Sequence, residues 1–434
     1  MVDILPFRGV RYDPAVAGAA LDLLAAPPYD VISPAEQEAL YARHPANIVR
    51  LILGREDDKY DQAARLFRDW LASGTLKAED TPAMYVYRQT FDDPLTGKPL
   101  PERVGLVCLL KLEDYSTGRV LPHEKTLTGP KADRLELLRA TEAQFESIYG
   151  LFSDPDSAVR SFIQEYDDRE AVIERVDGML GSTHKIERIA DADAQAVLQD
   201  LMADKVVFIA DGHHRYETAL TYQREVRAAS PGADEPQAAD YILVTLTAFE
   251  DEGLLVLPTH RLIRNVPAAK IAALPTALEQ FTLSPSSLDT IEAEIAVQAA
   301  MQKIAFGVIL PASVQMAVLN ADTFDADAVS RLPVSLLGAL ILDQCLGIDA
   351  AAVAAGSHVS YTRDISEAAQ AVSSGDAQAA FVLGRPTVME IKDVSLAGEV
   401  MPQKSTFFYP KLLSGLVLRD LRDPPALDLG QEAF

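Results

Sequence analysis

The sequence of 434 residues predicts an α/β protein with a mixed sheet, divided into two domains. Segments rich in β-branched and aromatic residues alternate with segments of helical spacing along the whole chain, which is typical of this class. Beyond Val266 the pattern changes, because alanine-rich helical segments dominate and strand-like segments lie between them. We therefore expect a first domain over residues 1–265 and a C-terminal α/β domain over residues 266–434.

The elements before residue 120 are expected from their residue types. β-branched and aromatic residues favour strands in the segments IVRLILG, AMYVYRQTF and RVGLVCLLKLEDY. Between the first two, DDKYDQAARLFRDWLASG places Ala64, Phe67 and Leu71 on one face of a helix, with Gly74 as its C-cap.

The later segments continue the alternation. Pro130 is placed to start a helix through TGPKADRLELLRATEAQ. Further helices are expected at residues 156–166 and 193–202 and from His213 to about residue 228. Strands are expected at residues 171–176 and 183–189, and in the segments VVFIA, DYILVTLTAF, GLLVLPTHRLI, IAFGVIL, VQMAVL and QAAFVLG.

The composition argues against several classes of protein. The formal net charge of −25 disfavours general binding to nucleic acid or to anionic membranes. Cys108 and Cys345 lie in apolar segments without zinc-ligand spacing, so we expect buried thiols in a reducing compartment. The N-terminus lacks a signal-peptide pattern, and no apolar run reaches the roughly 18 residues of a membrane span. We expect a cytoplasmic protein.

The segment FIADGHHRYETAL, residues 208–220, joins a strand to a helix through polar residues. A helix N-terminus stabilises anions through its N–H groups and its dipole. Gly212 permits close approach of a ligand, His213 and His214 can donate to phosphate oxygens, and Arg215 can bind a phosphate with two hydrogen bonds. The junction therefore predicts a phosphate or nucleotide site, with Asp211 as a candidate Mg²⁺ ligand.

Two other interpretations of this junction stay open. Asp211 can act as a simple N-cap, with both histidines solvated. Alternatively, His213 or His214 shares a helix face with Glu217 as part of a metal site.

A second polar cluster lies between residues 121 and 141. In a chain this acidic, residues 119–139 hold five basic residues against three acidic ones. Candidates for an anion site here are His123, Lys125, Thr126, Lys131 and Arg134. Glu124 is a carboxylate beside cationic groups, so it stays ionised near neutral pH and is a candidate general base for a substrate hydroxyl. A solvated loop and helix start is the alternative.

Four further segments carry candidates for substrate or supporting contacts. They are Tyr29 and Asp30 in AAPPYDVIS, Asn47 in HPANIVRL, His260 and Arg261 in LPTHRLI, and Lys404, Ser405 and Thr406 in MPQKSTFFYPKLLSGL. A structural turn, a core histidine or a packed loop is the alternative in each case. The sequence lacks the phosphate loop GxxxxGK[ST], the dinucleotide motif GxGxxG after a strand, and the nucleophile elbow GxSxG.

Six motifs, taken in order, resemble those of one large prokaryotic family catalogued as domain of unknown function 1015. They are APPYDVIS, HPANIVRL, PHEKTLTGPKADRLELLRAT, ADGHHRYETAL, PTHRL and MPQKSTFFYPKL, and they cover essentially the whole chain. This resemblance implies membership of a family but no particular activity.

The Gly-His-His-Arg junction is also similar to the strand–Gly-x-(His/Arg)-Arg–helix element of the ParB/sulfiredoxin fold. That resemblance implies a ParB/sulfiredoxin-like N-terminal part in which this element binds nucleotide phosphates. Sulfiredoxins use a cysteine inside the element, and ParB proteins carry a DNA-binding helical module; the sequence has neither feature. The free serine kinases of the same fold remain as an analogy for the chemistry.

Together these patterns predict that residues 1–265 form a phosphate- or nucleotide-binding catalytic region. The predicted activity is phosphoryl transfer to a small hydroxylated metabolite, for which L-serine is one acceptor, from ATP, ADP or pyrophosphate. Mg²⁺ is the predicted cofactor, a homo-oligomer is compatible with the sequence, and the predicted catalytic residues are Glu124, His123 and His214. The alternatives are a nucleotide-sensing protein without turnover and a metal-dependent hydrolase that uses His213, His214, Asp211 and Glu217.

Overall fold

The computed structural model describes residues 2–124, 128–166, 172–230, 235–320 and 327–426. The chain divides into two compact units. The first unit contains the chain up to Pro122, the stretch that ends at Leu255, and a final segment that begins at Pro410. The second unit contains His123, Glu124 and the stretch Val256–Tyr409.

The first unit is built on a large mixed sheet. The strands of this unit are β1 (Ile4–Leu5), β2 (Val10–Tyr12), β3 (Leu76–Ala78), β4 (Met84–Phe91), β5 (Arg103–Lys111), β6 (Val120–Pro122), β7 (Ala143–Gln144), β8 (Ile148–Phe152), β9 (Val172–Met179), β10 (Ser182–Ile189), β11 (Val207–Asp211) and β12 (Tyr241–Ala248). Of these, β2 pairs with β3 outside the large sheet, and β7 also lies outside it. Within the described residues the main sheet has the order β6-β11-β8-β12-β5-β4-β10-β9, and β1 pairs with β5. The pairs β6–β11 and β8–β12 are parallel and the other pairs are antiparallel.

Helices cover this sheet. They are α1 (Pro14–Ala17), α2 (Leu21–Leu24), α3 (Pro34–Arg43), α4 (Val49–Ile52), α5 (Lys59–Ser73), α6 (Thr128–Thr141), α7 (Ala158–Glu165), α8 (Ala192–Ala203) and α9 (His213–Ala229). Alternate residues of β5 belong to different apolar clusters: Val107 and Leu109 to one, Leu106 and Cys108 to the other. Because successive side chains of a strand point to opposite faces, both faces of the sheet are buried.

The second unit has its own antiparallel sheet. The chain enters this unit within β13 (Leu255–Leu257). The later strands of the unit are β14 (His260–Ile263), β15 (Phe281–Pro285), β16 (Ala305–Leu310), β17 (Ser313–Leu319), β18 (Val359–Thr362), β19 (Ala379–Val382) and β20 (Phe407–Tyr409), of which β20 lies outside the sheet. The sheet order is β15-β17-β16-β19-β14-β18. Its helices are α10 (Ala268–Ala277), α11 (Ile291–Ala300), α12 (Pro333–Leu336) with a π-helical continuation over Leu337–Leu346, α13 (Ala350–Ala354), α14 (Ile365–Ser374) and α15 (Val388–Leu396).

The final segment of the chain completes the first unit. Leu413, Leu416 and Leu418 belong to its apolar core, and strand β21 (Arg419–Asp420) pairs with β7. Leu418 also exchanges backbone hydrogen bonds with Val10, each 2.8 Å from nitrogen to oxygen. The first unit therefore depends on residues from both ends of the described chain.

The predicted fold class, α/β with a mixed sheet and a second α/β unit, is confirmed. The expected division at residues 265 and 266 differs from the observed one. The change of unit lies between Leu255 and Val256, since β14 already pairs with β18 and β19, and the chain returns to the first unit at Pro410.

Two predicted strands are wrong. The segment IVRLILG contains the short helix α4, because the Asn47 side chain accepts a hydrogen bond from Val49 N at 3.0 Å and so favours a helical turn. GLLVLPTHRLI is not one strand, since it separates into β13 and β14 on either side of Pro258 and Thr259. Proline has no N–H to donate to a neighbouring strand. No helix among the described residues has the length and apolarity to cross a membrane.

Candidate functional site

The strand-to-helix junction forms as the sequence predicts. β11 ends at Asp211, Gly212 has φ +87° and α9 begins at His213. Gly212 is the N-cap and contributes no side chain, so the alternative in which Asp211 caps the helix is wrong. The helical hydrogen bonds begin with Tyr216 N donating to Gly212 O at 3.0 Å. The N–H groups of the first turn thus precede the helical ladder, as in anion-binding helix starts.

Asp211 lies between two cations at the start of α9. Its carboxylate accepts a hydrogen bond from Lys411 Nζ at 3.1 Å, and Arg215 Nη2 lies 3.5 Å from the other oxygen. Burial acts to raise the pKa of the Asp211 carboxyl, but the charges of Lys411 and Arg215 outweigh burial and hold the pKa at about 2. Asp211 is therefore ionised throughout the physiological range.

The Arg215 side chain, in the first turn of α9, is largely buried, with 13% of it exposed. Its Nη1 donates to Ser147 O at 2.7 Å, while its buried Nε has no hydrogen-bond partner among the described residues. Burial works to lower the pKa of the guanidinium, but the charges of Glu146 and Asp211 raise it above its usual range. A cavity of about 60 Å³ lies beside this side chain, and its lining includes Arg134, Glu146 and Thr218. This volume suits a few water molecules or one phosphate-sized group.

Three motifs that are distant in sequence meet near Arg215 in the first unit. Arg134, on α6, lies with its guanidinium 4.0 Å from the centre of the Tyr29 ring. Burial raises the pKa of Tyr29 to about 12, and the charges of Arg134, Arg215 and Asp30 also act on it. The predicted candidates Tyr29, Asp30, Arg134 and Arg215 therefore share one electrostatic environment.

Existing contacts already occupy several of these side chains. Arg134 donates to Ile52 O at 2.7 Å and pairs with Asp133. Lys131 forms an ion pair with Glu217, with its Nζ 2.8 Å from the carboxylate. Any anionic ligand at Lys131 would compete with Glu217 for the ammonium group.

The structure does not support a metal site built from the junction. Among the described residues, no group of three or more His, Cys, Asp and Glu side chains is arranged to hold a metal ion. The set predicted for a metal-dependent hydrolase includes Glu217, which instead pairs with Lys131.

A separate group of predicted residues comes together in the second unit. His123 is buried, and its Nε2 lies 2.8 Å from Thr406 Oγ1. Glu124 accepts a hydrogen bond from Lys404 N at 2.9 Å, and Arg261 donates to Lys404 O at 3.0 Å. Burial lowers the pKa of Arg261 to about 10, although the negative charge of Glu124 opposes this shift. Among the predicted candidates, His123 thus contacts Thr406, and Glu124 and Arg261 both bond the backbone of Lys404.

Some predicted candidates have structural roles instead. Asn47 is fully buried, and its amide nitrogen donates to Leu23 O at 2.8 Å and Ala25 O at 3.0 Å. Its side chain therefore fixes the backbone rather than facing a ligand. Ser405 Oγ donates to Pro402 O within the loop. Lys125 and Thr126 lie outside the described residues.

His260 is a buried core residue, which predicts an acid-sensitive second unit. Its Nδ1 accepts a hydrogen bond from Leu383 N at 3.2 Å, and its Nε2 is buried with no partner among the described residues. Burial, reinforced by the charge of Arg261, lowers the pKa of His260 to about 4. The unfolded chain binds this proton near pH 6.5. The contribution of neutral His260 to the free energy of unfolding is thus complete above about pH 6.5 and is lost as the pH falls towards 4.

Because its pKa is lower in the folded than in the unfolded chain, we expect His260 to lower the free energy of unfolding by about 2–3 kcal/mol when the pH falls from 7 to 4.5. Calorimetric unfolding of the wild type and of His260→Asn at both pH values measures this contribution. The variant should be less stable at pH 7 and should lose less stability on acidification. Equal losses in the two proteins would contradict the assignment.

Two residues near Arg215 were missed by the sequence analysis. Glu146 accepts hydrogen bonds from Tyr29 N at 3.1 Å and from Ser414 Oγ at 2.7 Å. Lys411 lies in an apolar segment of the last motif, in which Lys404, Ser405 and Thr406 are the predicted candidates. A lysine among apolar residues is the signal that could have identified it, because a buried lysine needs a charged partner.

A model of the family described as "Protein of unknown function (DUF1015)" matches residues 4–335. The chain belongs to this family. The DUF1015 match confirms the resemblance to the family. It includes five of the six motifs, among them the junction at Gly212, and it ends before the sixth motif at residues 401–412. No curated protein matches the chain in sequence.

Several solved structures share distant similarity with this DUF1015 chain. A free serine kinase mutant in complex with AMP has a TM-score of 0.38 and 13% identity, covering 70% of this chain and 86% of that one. A conserved hypothetical protein from Pyrococcus furiosus has a TM-score of 0.35 and 14% identity, covering 70% and 92%. SbnI with a C-terminal truncation, from Staphylococcus aureus, has a TM-score of 0.33 and 10% identity, covering 76% and 90%. Likenesses this distant carry no argument about ligand or chemistry.

Proposed function

We propose that the first unit binds the phosphoryl groups of a nucleotide or pyrophosphate at the start of α9 and serves phosphoryl transfer to a small hydroxylated metabolite. The observation that carries this proposal is the environment of Arg215. Its Nε is buried without a partner among the described residues, and its side chain and Arg134 line the same cavity of about 60 Å³. A buried, unused guanidinium donor favours an anion as its partner.

The backbone supports the same ligand class. Gly212 leaves the start of α9 without a side-chain cap, so a phosphate oxygen can approach the N–H groups of the first turn. His213 and His214 occupy that turn, and their rings stay candidates for phosphate contacts. The cavity of about 60 Å³ beside Arg215 has room for one phosphoryl group. Its lining on α9 consists of Arg215, Thr218 and Ala219, so a nucleotide that also reaches residues 212–214 would extend outside it.

Phosphoryl transfer requires mainly that the reactants are positioned and that the charge of the phosphate groups is neutralised. The bond between the transferred phosphorus and the donor oxygen breaks, a bond to the acceptor oxygen forms, and the acceptor hydroxyl loses its proton to a base. Glu124 stays a prediction as that base; it belongs to the second unit, and the binding proposal makes no use of it. Mg²⁺ at Asp211 and L-serine as the acceptor also stay predictions.

The binding part of the proposal predicts a large loss of affinity on replacing Arg215 with glutamine. We expect pyrophosphate or ADP to bind about 30- to 100-fold more weakly, because a charge-assisted hydrogen bond contributes about 2–3 kcal/mol. Titration calorimetry of the purified protein measures the affinity. Arg224→Gln is the matched control: Arg224 lies on the same helix but is exposed and pairs with Asp114 at 3.1 Å.

Turnover is tested in a separate assay with Mg²⁺, L-serine and each of ATP, ADP and pyrophosphate. Phosphoserine that appears with wild type and Arg224→Gln, and not with Arg215→Gln, supports the full proposal. A nucleotide that raises the melting temperature but stays intact with a panel of hydroxylated acceptors would favour the sensing alternative. Equal affinity in wild type and Arg215→Gln would place the phosphate site elsewhere.

A further inference from the structure

Lys411 is a buried cation that the first unit receives from its final segment. Its side chain is 8% exposed, and its Nζ donates to Asp211 at 3.1 Å. Lys411 lies 200 residues from Asp211 in sequence and outside the part of the chain that matches the family model. Burial of an ammonium group costs free energy unless the group has a partner of opposite charge, and the Asp211 carboxylate is such a partner for Lys411.

The backbone on both sides of Lys411 is held by buried polar side chains. Arg103 donates to Pro410 O, and Gln89 Nε2 donates to Lys411 O at 3.3 Å. Leu413 N donates to the Tyr87 hydroxyl at 3.2 Å, and the same hydroxyl lies 2.7 Å from His184 Nδ1. The ammonium group is therefore fixed in place rather than carried on a free surface chain.

The position of Asp211 creates a difficulty for anion binding. Its carboxylate immediately precedes Gly212 and the start of α9, and it is ionised at neutral pH. An unscreened carboxylate this close to a helix start would repel a phosphoryl group and cancel much of the effect of the helix dipole. Arg215 lies at 3.5 Å from this carboxylate, which is beyond a good hydrogen bond, whereas Lys411 is within hydrogen-bond distance.

We infer that Lys411 is a positioning residue that neutralises Asp211 and thereby allows the start of α9 to accept a phosphoryl group. This inference rests on the proposed function and deepens it. Lys411 acts through Asp211, so the ligand does not need to contact the ammonium group. Removing Lys411 alone leaves a repulsive carboxylate, and removing both charges restores a neutral approach.

A double-mutant cycle tests the inference directly. Pyrophosphate is titrated calorimetrically, in buffer containing EDTA, into wild type, Lys411→Gln, Asp211→Asn and the double variant. We expect Lys411→Gln to bind about 10-fold or more weakly, because the Asp211 carboxylate then loses its hydrogen-bonded cation and faces the anion with Arg215 at 3.5 Å. Asp211→Asn and the double variant should both bind at least as tightly as wild type, because neither contains the repulsive carboxylate. Lys411→Arg should retain most of the affinity.

A matched control separates this effect from a loss of stability. Lys205 also pairs with an aspartate of the first unit, with its Nζ 3.3 Å from Asp154, and lies outside the proposed site. Lys205→Gln should leave pyrophosphate affinity unchanged even if it lowers the melting temperature. If Lys411→Gln does not fold, the double variant, which lacks the Asp211 carboxylate, still gives the decisive comparison with wild type.

The outcomes distinguish the inference from the function on which it rests. A double variant as weak as Lys411→Gln would show a direct contact between Lys411 and the ligand and would overturn the inference. Wild-type affinity in Lys411→Gln, together with weak binding by Arg215→Gln, would overturn it while leaving the phosphate site intact. Lack of pyrophosphate and ADP binding by the wild type would overturn both.

Discussion

Replacing Arg103 with leucine is expected to lower the free energy of unfolding of the first unit by about 3–5 kcal/mol. The Arg103 side chain is almost fully buried. Its Nε donates to Gln89 Oε1 at 3.0 Å, and its Nη2 donates to Pro410 O. Leucine cannot make these bonds, so it leaves two buried oxygens without this donor. The final segment of the chain also loses one of its attachments to the sheet.

Urea unfolding followed by tryptophan fluorescence measures this loss. Trp70 is the chain's only tryptophan and is buried in the core of the first unit, so its emission reports on that unit. Arg175→Leu is the control, because Arg175 is exposed and pairs only on the surface with Asp177 at 2.8 Å. Exposed ion pairs contribute about 0–1 kcal/mol, so its unfolding midpoint should barely move. Similar shifts in the two variants would contradict the role given to Arg103.

Replacing Gly212 with alanine is expected to destabilise the first unit by about 2–4 kcal/mol and to abolish phosphate binding. The left-handed backbone, with φ +87°, is strained for any residue with a Cβ atom. An added Cβ would also lie 2.9 Å from Ile148 Cγ2 and 3.0 Å from the guanidinium of Arg215. The Arg215 guanidinium would have to move away from the new Cβ atom. This movement would break its hydrogen bond to Ser147 O and displace the side chain on which the proposed site depends.

Gly18→Ala separates the two effects. Gly18 also has a left-handed backbone, with φ +71°, but an added Cβ there would meet no atom within 4 Å. We expect Gly18→Ala to cost about 1 kcal/mol from backbone strain alone and to leave ligand affinity unchanged. Trp70 fluorescence and pyrophosphate titration on both variants measure the difference. A Gly212→Ala protein no less stable than Gly18→Ala would show that the space beside Gly212 is not tightly packed.

The sequence was most informative where chemistry is local. The β11–Gly212–α9 junction was predicted from adjacent residues, because a strand, a glycine and a helix start are each recognisable from a few residue types. The same holds for α5 and its C-cap at Gly74, whose conformation is left-handed as expected. Local patterns also identified Tyr29 and Arg134, although their proximity to Arg215 could not be read from the sequence.

The parts that were missed depend on contacts between distant segments. Lys411 reaches Asp211 only because its segment packs beside the end of β11. No residue near position 211 indicates a partner 200 residues later in the sequence. IVRLILG is a short apolar run that is compatible with a buried strand or a buried helix. The hydrogen bond from Val49 N to the Asn47 side chain favours the helical turn. Residues 123–124 likewise belong to the second unit whereas α6, which follows them in sequence, belongs to the first, and no local pattern indicates this change.

The placement of residues 410–426 within the first unit has a consequence for folding during synthesis. A ribosome delivers residue 409 before it delivers Lys411, so the nascent first unit waits for synthesis of the stretch Val256–Tyr409. Domains usually fold as they emerge, from the N-terminus onward. Here residues 410–426 supply both core residues such as Leu418 and the ammonium group beside Asp211, so the first unit cannot complete its core until synthesis has passed these residues.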